Sequence, residues 1–412
     1  MPSADKQAYI ERLGQKSLEW PFHPAWGDDE IEAVLGVLKS NIGSGYRGTP
    51  EGHEGGERVQ ELQNYFKDYF AIPYAVAFNS ATSALHASLI ACGIRMGDEV
   101  IVSPYTFSSS ASCVLMANGI PVFADIDSST FNMRPETIER AITPRTKAIV
   151  VVHLAGQSAD MAEIMNIAGK YGLMVIEDSA QTLGGMYRGK LCGTIGDIGV
   201  FSFNQSKPVS TGEGGMLITR DSTLAKIAQA VMNHGEVSQP ELGIVGYNYR
   251  MTEMVAALAL AQMKKLDRMN DIRIDLNNYL ADFMRNIDGL TPPMVRRGNK
   301  HVYYTTIMKY DESIIGAPRE FFQRRMMANG IYFGSGYVTP LYLYPIYQER
   351  RPDVYHYFGK GVDYSRGICP VAEECWSKSV MVTDILRYPA TRQDVDRIKI
   401  AIKKRLEEIS GR

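Results

Sequence analysis

Lys207 lies in the segment FSFNQSKPVSTGEGGMLIT, Phe201 to Thr219, between one apolar run and a glycine-rich turn that enters another. It is the only charged residue between Phe201 and Gly212. Desolvation among such neighbours favours the neutral amine, a nucleophile able to condense with a carbonyl to a Schiff base. Pro208 biases Lys207 away from helical backbone, so the amine is presented from an extended or turn conformation. An ordinary surface lysine is the competing reading. Gly212, Gly214 and Gly215 would let backbone pass close to a ligand, and would serve a plain hairpin turn equally well.

Two other segments offer complementary chemistry. LMVIEDSAQ places Asp178 at the carboxyl end of an apolar run, with Gln181 three residues on. A carboxylate there can hold a cationic group and an amide can hold an oxygen; Asp178 as the cap of the following turn is the alternative. Glu177 points to the opposite strand face, so the two carboxyls are no acid/base pair. In FNSATSALHASL, Phe78 to Leu89, a strand ends in a small-residue turn and a helix begins at about Thr82. Such a helix start offers free N–H groups and a positive dipole end to a phosphate, with hydroxyls from Thr82 or Ser83; Ser80 or Thr82 acting only as a cap is the plainer account. Together, a phosphate cradle, a carboxylate for a protonated ring nitrogen and a lysine for an aldehyde are what pyridoxal 5'-phosphate asks of a protein.

These residues must be placed by a scaffold. From residue 74 to about 220, YAVAF, EVIVSP, PVFADI, KAIVVVHL and LMVIED alternate with longer mixed segments. That alternation predicts βαβ units and a mainly parallel sheet covered on both faces, with ligands at the strand carboxyl ends. IGVFSF and GMLITR are too close for a crossover helix, so they are expected to be antiparallel neighbours. Helical spacing from Thr252 to about Ile287, without Pro or Gly, predicts one long helix connecting two domains. GLTPPMVRRGNK (residues 289–300) reads as a linker, and VYYTTIMKY, PREFFQRRMMANG and a closing helix from Thr391 as a smaller α+β domain.

The composition agrees with a large globular chain. Its 412 residues exceed one typical domain, and about three quarters of the unfolded surface can be buried. Lys plus Arg number 44 and Asp plus Glu 46, a net charge of −2, without a like-charge block for a nucleic-acid partner. Five cysteines without a CxxC pair suggest neither zinc site nor disulfide framework, and the cytoplasm is the expected location. The start has no secretory pattern. The uncharged stretches 69–94 and 100–124 are interrupted by Pro, Asn, Ser, Thr or His, and read as interior strands and helices rather than membrane spans.

FNSATSAL, PYTFSSSAS, VHLAGQSADM, IEDSAQTLGG, GDIGVFSFNQSKPVSTGEGGM, NHG and GYNYRMTEM, in that order, resemble the DegT/DnrJ/EryC1/StrS aminotransferases over roughly residues 26 to 400. The resemblance implies a fold-type I, aspartate aminotransferase-like enzyme: an N-terminal arm and large domain over residues 1–288 and a small C-terminal domain over 289–412. It implies that Lys207 carries the cofactor and shuttles the proton, that Asp178 keeps the pyridine nitrogen protonated, and that Gln181 bonds the ring hydroxyl. Ala81, Thr82 and Ser202 match phosphate-binding positions and Phe107 the aromatic stacked on the ring. Asn248 matches the asparagine reaching the cofactor phosphate of a neighbouring subunit, hence a homodimer with shared sites. The implied reaction moves an amino group from glutamate or glutamine to a keto-sugar, nucleotide-linked or free, or a keto-cyclitol, in an antibiotic or surface-glycan pathway. Rival readings are a dehydratase, disfavoured because its members typically carry histidine in place of Lys207, a PLP lyase or decarboxylase, and a non-catalytic PLP-binding regulator.

The sequence departs from the family pattern at Ala81, where glycine is usual and a left-handed turn would be strained, at Pro208, and at Tyr342, where histidine is common in a segment lining the substrate site. Extra material precedes Trp26 and surrounds YRGTPEGHEGGE. His153 and His234 read as structural, His301 as a candidate substrate contact, and Cys369 and Cys375 as buried.

Overall fold

The computed structural model describes residues 26–46, 53–236, 243–350 and 361–411. The N-terminal extension before Trp26 and the centre of YRGTPEGHEGGE fall outside the described residues. Two helices, α1 (Asp28–Ser40) and α2 (Glu57–Phe70), lead into an alternating series: β1 (Tyr74–Phe78), α3 (Ala81–Ala91), β2 (Glu99–Val102), α4 (Ser109–Met116), β3 (Ile120–Phe123), α5 (Pro135–Ala141), β4 (Thr146–Val152), α6 (Met161–Tyr171) and β5 (Met174–Asp178). A short hairpin of β6 (Met186–Tyr187) and β7 (Lys190–Leu191) precedes β8 (Ile198–Ser202), β9 (Gly215–Thr219) and α7 (Ser222–Met232).

The seven-stranded sheet has the order β1-β9-β8-β5-β4-β2-β3. β3, β2, β4, β5 and β8 run parallel, and β9 is antiparallel to both β8 and β1. The expected mainly parallel sheet and the antiparallel pair at residues 198–219 are both present. Because β9 alone is reversed, the carboxyl ends of β1, β2, β5 and β8 share one edge with the amino end of β9.

Period-two alternation sorts each strand between two cores. Val150 and Val152 of β4 pack with Val76, Phe78, Val200 and Leu217 on one face, under α3, α4 and α7. Ile149 and Val151 face α5 and α6 on the other. Further along that second face, Ala75, Ala77, Phe201, Met216 and Ile218 meet Phe66 and Phe70 of α2. Burial on both faces is why these strands read as continuous apolar runs. It also accounts for the two uncharged stretches, which resolve into β1–α3 and β2–α4–β3. Among the described residues no helix is long and apolar enough to cross a membrane.

The long helix expected from Thr252 is instead two, α8 (Glu253–Met263) and α9 (Leu266–Met284). At the break the Lys265 amide donates to the Gln262 carbonyl at 3.0 Å, a tightened turn, while Lys265 Nζ pairs with Glu30 at 2.9 Å and Asp29 at 3.0 Å on α1. α8 is buried on most sides, whereas α9 turns a narrower face inward, and one straight axis would not serve both surfaces. Neither Pro nor Gly marks the change, so periodicity alone does not reveal it.

A second, antiparallel sheet follows in the order β10-β11-β13-β12, from β10 (Leu290–Thr291), β11 (Thr306–Tyr310), β12 (Gly334–Ser335) and β13 (Val380–Thr383). Met308 and Tyr310 of β11 pack with Phe322 and Met326 of α10 (Arg319–Met327) and with Val395, Ile398 and Ile402 of α11 (Arg392–Ser410). Leu276, Leu280 and Met284 of α9 enter this same core.

Candidate active site

Where the strand ends converge, a cavity of about 300 Å³ is lined by Ala81, Thr82, Phe107, Asp178, Gln181, Ser202 and Lys207, seven of the eight residues singled out from sequence. The eighth, Asn248, is exposed outside this cavity, its carbonyl accepting from Asn79 Nδ2 at 3.4 Å. A larger cavity of about 450 Å³, lined by Ser128, Lys309, Glu374 and Lys378 among others, holds none of the eight.

The helix start is built for an anion. Ser80, in extended backbone (φ −164°), accepts from the Ser83 amide at 3.1 Å and caps α3. Ala81 and Thr82, the first two helical residues, have N–H groups with no acceptor inside the helix, and both residues border the cavity. The cap therefore leaves room for a candidate anion site. Alanine at position 81 disturbs nothing here: it is the first residue of a right-handed helix and is not among the residues with positive φ. The glycine that this turn needs is Gly215, whose notional Cβ would lie 2.5 Å from Ala81 N and 2.5 Å from Ser80 C. Its absent side chain makes room for the helix start rather than for a ligand.

Asp178 ends β5 and is 4% exposed. Ser110 Oγ donates to its Oδ2 at 2.7 Å and the Ala180 amide to its Oδ1 at 3.2 Å. Burial still pushes the carboxyl above its usual range, against those two bonds and the charge of Lys207. A buried carboxylate short of positive charge fits a protonated ring nitrogen. Glu177 points to the other face, where its oxygens accept from the Gly193, Ile195 and Gly196 amides. His153 Nδ1 accepts from the Ala159 amide at 3.0 Å, which leaves Nε2–H to donate to Glu177 at 2.8 Å. That histidine is fully enclosed.

Gln181 Oε1 accepts from the Ala155 amide at 2.7 Å and its Nε2 donates to the Tyr337 hydroxyl at 2.9 Å, so the amide is fixed before any ligand arrives. Lys207 is half-buried, its ammonium 4.1 Å from the centroid of the Tyr304 ring. Phe107 is 61% exposed, an aromatic face open to the cavity. The free amides, the buried carboxylate, the amine and the open aromatic meet the requirements of pyridoxal phosphate at its phosphate, ring nitrogen, aldehyde and ring face.

Sequence reasoning missed Tyr304, Tyr337, Asn204, Ser206 and Glu213 as cavity residues. Tyr337 belongs to a segment noted for the substrate site, but Tyr304 reads as an ordinary aromatic before a strand. Tyr342 does not line the cavity: it is fully buried against Phe123, its hydroxyl bonded to Glu373. His301 is likewise no lining residue. It is 4% exposed, stacks on Tyr303 at 3.8 Å, accepts at Nδ1 from the Tyr303 amide, and burial lowers its pKa to about 3. His234 is an exposed residue in left-handed backbone, φ 58°. Cys369 and Cys375 are buried free thiols.

A mainly parallel sheet with a lysine, a buried carboxylate and a capped helix start at its carboxyl edge defines a pyridoxal-phosphate-dependent enzyme of fold type I. The chain belongs to the DegT/DnrJ/EryC1/StrS aminotransferase family, whose model matches residues 27–370. It is similar to the spore coat polysaccharide biosynthesis protein SpsC of Bacillus subtilis, 36% identical over 344 residues, covering 79% of this chain and 85% of that protein. It is also 39% identical over 264 residues to a GDP-perosamine synthase of Caulobacter vibrioides, covering 63% of this chain and 71% of that one. Among solved structures, DesV of S. venezuelae in complex with a ketimine intermediate superposes with a TM-score of 0.81 at 26% identity, covering 97% of each chain. The protein is an aminotransferase and its cofactor is pyridoxal phosphate.

Proposed function

We propose that the enzyme moves the amino group of glutamate or glutamine to the carbonyl carbon of a keto-sugar, nucleotide-linked or free, or of a keto-cyclitol. The cavity carries this reading, since it gathers Lys207, Asp178, Gln181, Ser202 and the free amides of Ala81 and Thr82 on one sheet edge. Similarity to a GDP-perosamine synthase supports the nucleotide-sugar branch. The bound cofactor supplies an electron sink for the bond broken at the substrate carbon. Lys207 Nζ takes the proton from the donor's α-carbon and later delivers one to the acceptor carbon. Asp178 would hold the positive ring nitrogen, Gln181 the ring hydroxyl, and Ala81, Thr82 and Ser202 the phosphate, while Phe107 would lie against the ring.

A homodimer sharing its sites is part of the proposal, with Asn248 reaching the partner's phosphate. It is supported by the exposed position of Asn248 and by an apolar stripe along α1, where Ile31, Leu35 and Leu38 recur at helical spacing and are all 44% exposed or more. The cytoplasm, where phosphorylated cofactor and nucleotide sugars are at hand, is the proposed location, and antibiotic or surface-glycan assembly the proposed use. The division into a large domain to 288 and a small one from 289 is supported by the two sheets, which end at Thr219 and begin at Leu290.

The test is to incubate the pyridoxal-phosphate-loaded enzyme with glutamate or glutamine alone, then with a panel of keto-sugars and keto-cyclitols. The expected result is a shift of cofactor absorption to the pyridoxamine form on donor addition, reversed by one acceptor class. A dehydratase would consume a sugar with loss of water and no donor, and a non-catalytic regulator would show neither change.

A further inference from the structure

Two acidic side chains line the same cavity as Lys207, the buried carboxylate of Asp178, which interacts with its charge, and Glu213. It rests instead over the face of Tyr304, 4.1 Å from the ring centroid. The Tyr304 hydroxyl shares a hydrogen bond of 2.9 Å with Ser206 Oγ, on the residue directly before the lysine. The ring is thereby tied to the backbone that carries the amine, although Tyr304 comes from beyond the linker, 98 residues further along. Glu213 accepts from Asn204 Nδ2 at 3.0 Å.

We propose that Tyr304 is a positioning residue that holds the ammonium of Lys207 by its ring face whenever the amine is not bonded to a carbonyl. A cation over an aromatic face is attracted to the ring quadrupole. The consequence is specific to this cavity. A freed ammonium left to itself would be drawn toward Asp178, the carboxylate that would hold the cofactor's ring nitrogen. Tyr304 offers the charge a place over its own ring face instead. An aromatic ring rather than leucine is required for the attraction.

This inference rests on Lys207 as the cofactor lysine, and its test separates the two. The full chain is loaded with pyridoxamine phosphate, the form in which the Lys207 amine is free, and exposed briefly to acetic anhydride at one pH near neutrality. Acetylation at Lys207 is read by peptide mass spectrometry against exposed lysines. Position 304 carries tyrosine, phenylalanine, then mono-, di- and trifluorophenylalanine, which keep the shape while draining charge from the face; Tyr304→Leu completes the set. Phenylalanine should match the native rate, and the rate should climb with each fluorine to a total of about two- to fivefold, as the ammonium loses its support. A rate that stays flat across the fluorinated series, or a full rise already at phenylalanine, overturns the proposal. The fluorinated series keeps the test intact should Tyr304→Leu fail to fold. If Lys207→Ala keeps the visible absorption of the pyridoxal-phosphate-loaded enzyme, it is the assignment of Lys207 that fails instead.

Discussion

Asp178 shows how a single residue is set against the stability of its own fold. Its carboxyl is buried with two hydrogen bonds, and burial raises its pKa above that of an unfolded chain. A carboxyl with a raised folded-state pKa favours the fold while protonated, and that contribution is lost as pH rises through the folded-state value. In cofactor-free protein, Asp178→Asn is therefore expected to raise the melting temperature at pH 8, by about 2 °C or more, and the gain should vanish toward pH 4. Thermal melts across that range check it; an unchanged or lower melting temperature at pH 8 would show that the carboxylate is not desolvated. The same variant should lose transamination by orders of magnitude, because the amide cannot neutralise a protonated ring nitrogen. Asp178, Gln181 and Lys207 were legible in sequence because each ends or follows an apolar run. Tyr304 was not, since a tyrosine before a strand is ordinarily core and only the folded chain brings it under the amine.

Among the elements, the meeting of α3 with β9 decides the proposed phosphate site. The helix start touches the strand through Gly215, and a methyl group there would lie 2.5 Å from backbone atoms of Ser80 and Ala81. Neither group is the end of a flexible side chain, so the helix start must move. Gly215→Ala is expected to weaken pyridoxal phosphate binding by about 5- to 150-fold, the range that about 1–3 kcal/mol of overpacking implies. Fluorescence titration with the cofactor measures it; native affinity would mean that the helix start is not the cradle. The glycine cluster at 212–215 was visible from sequence, yet which glycine is obligatory and against what followed only from the antiparallel register of Phe78 with Gly215. The strands of the large sheet were legible for a plainer reason, that burial on both faces removes polar residues from them. The break between α8 and α9 was hidden because the two helices cover different surfaces and Lys265 pairs there with a remote helix, and no local residue signals it.

At the scale of the whole molecule, the apolar stripe of α1 and the placement of Asn248 lead to one expectation. The native enzyme should sediment at twice the chain mass, and a Leu35→Glu, Leu38→Glu double variant should sediment as a single chain with weakened cofactor binding, since Asn248 would no longer meet a partner's phosphate. A native enzyme that is active as a single chain would contradict the shared site. The outward-facing apolar residues of α1 were present in the sequence, but exposure could be assigned only after α8 was seen to cover the opposite face of that helix. The Lys207 amine is expected to carry the cofactor covalently. Borohydride reduction of the pyridoxal-phosphate-loaded chain, followed by peptide mapping, tests it most directly. The expected result is a single phosphopyridoxyl group on the peptide containing Lys207 and none in Lys207→Ala; a label on another lysine, or none in the native chain, would contradict the account.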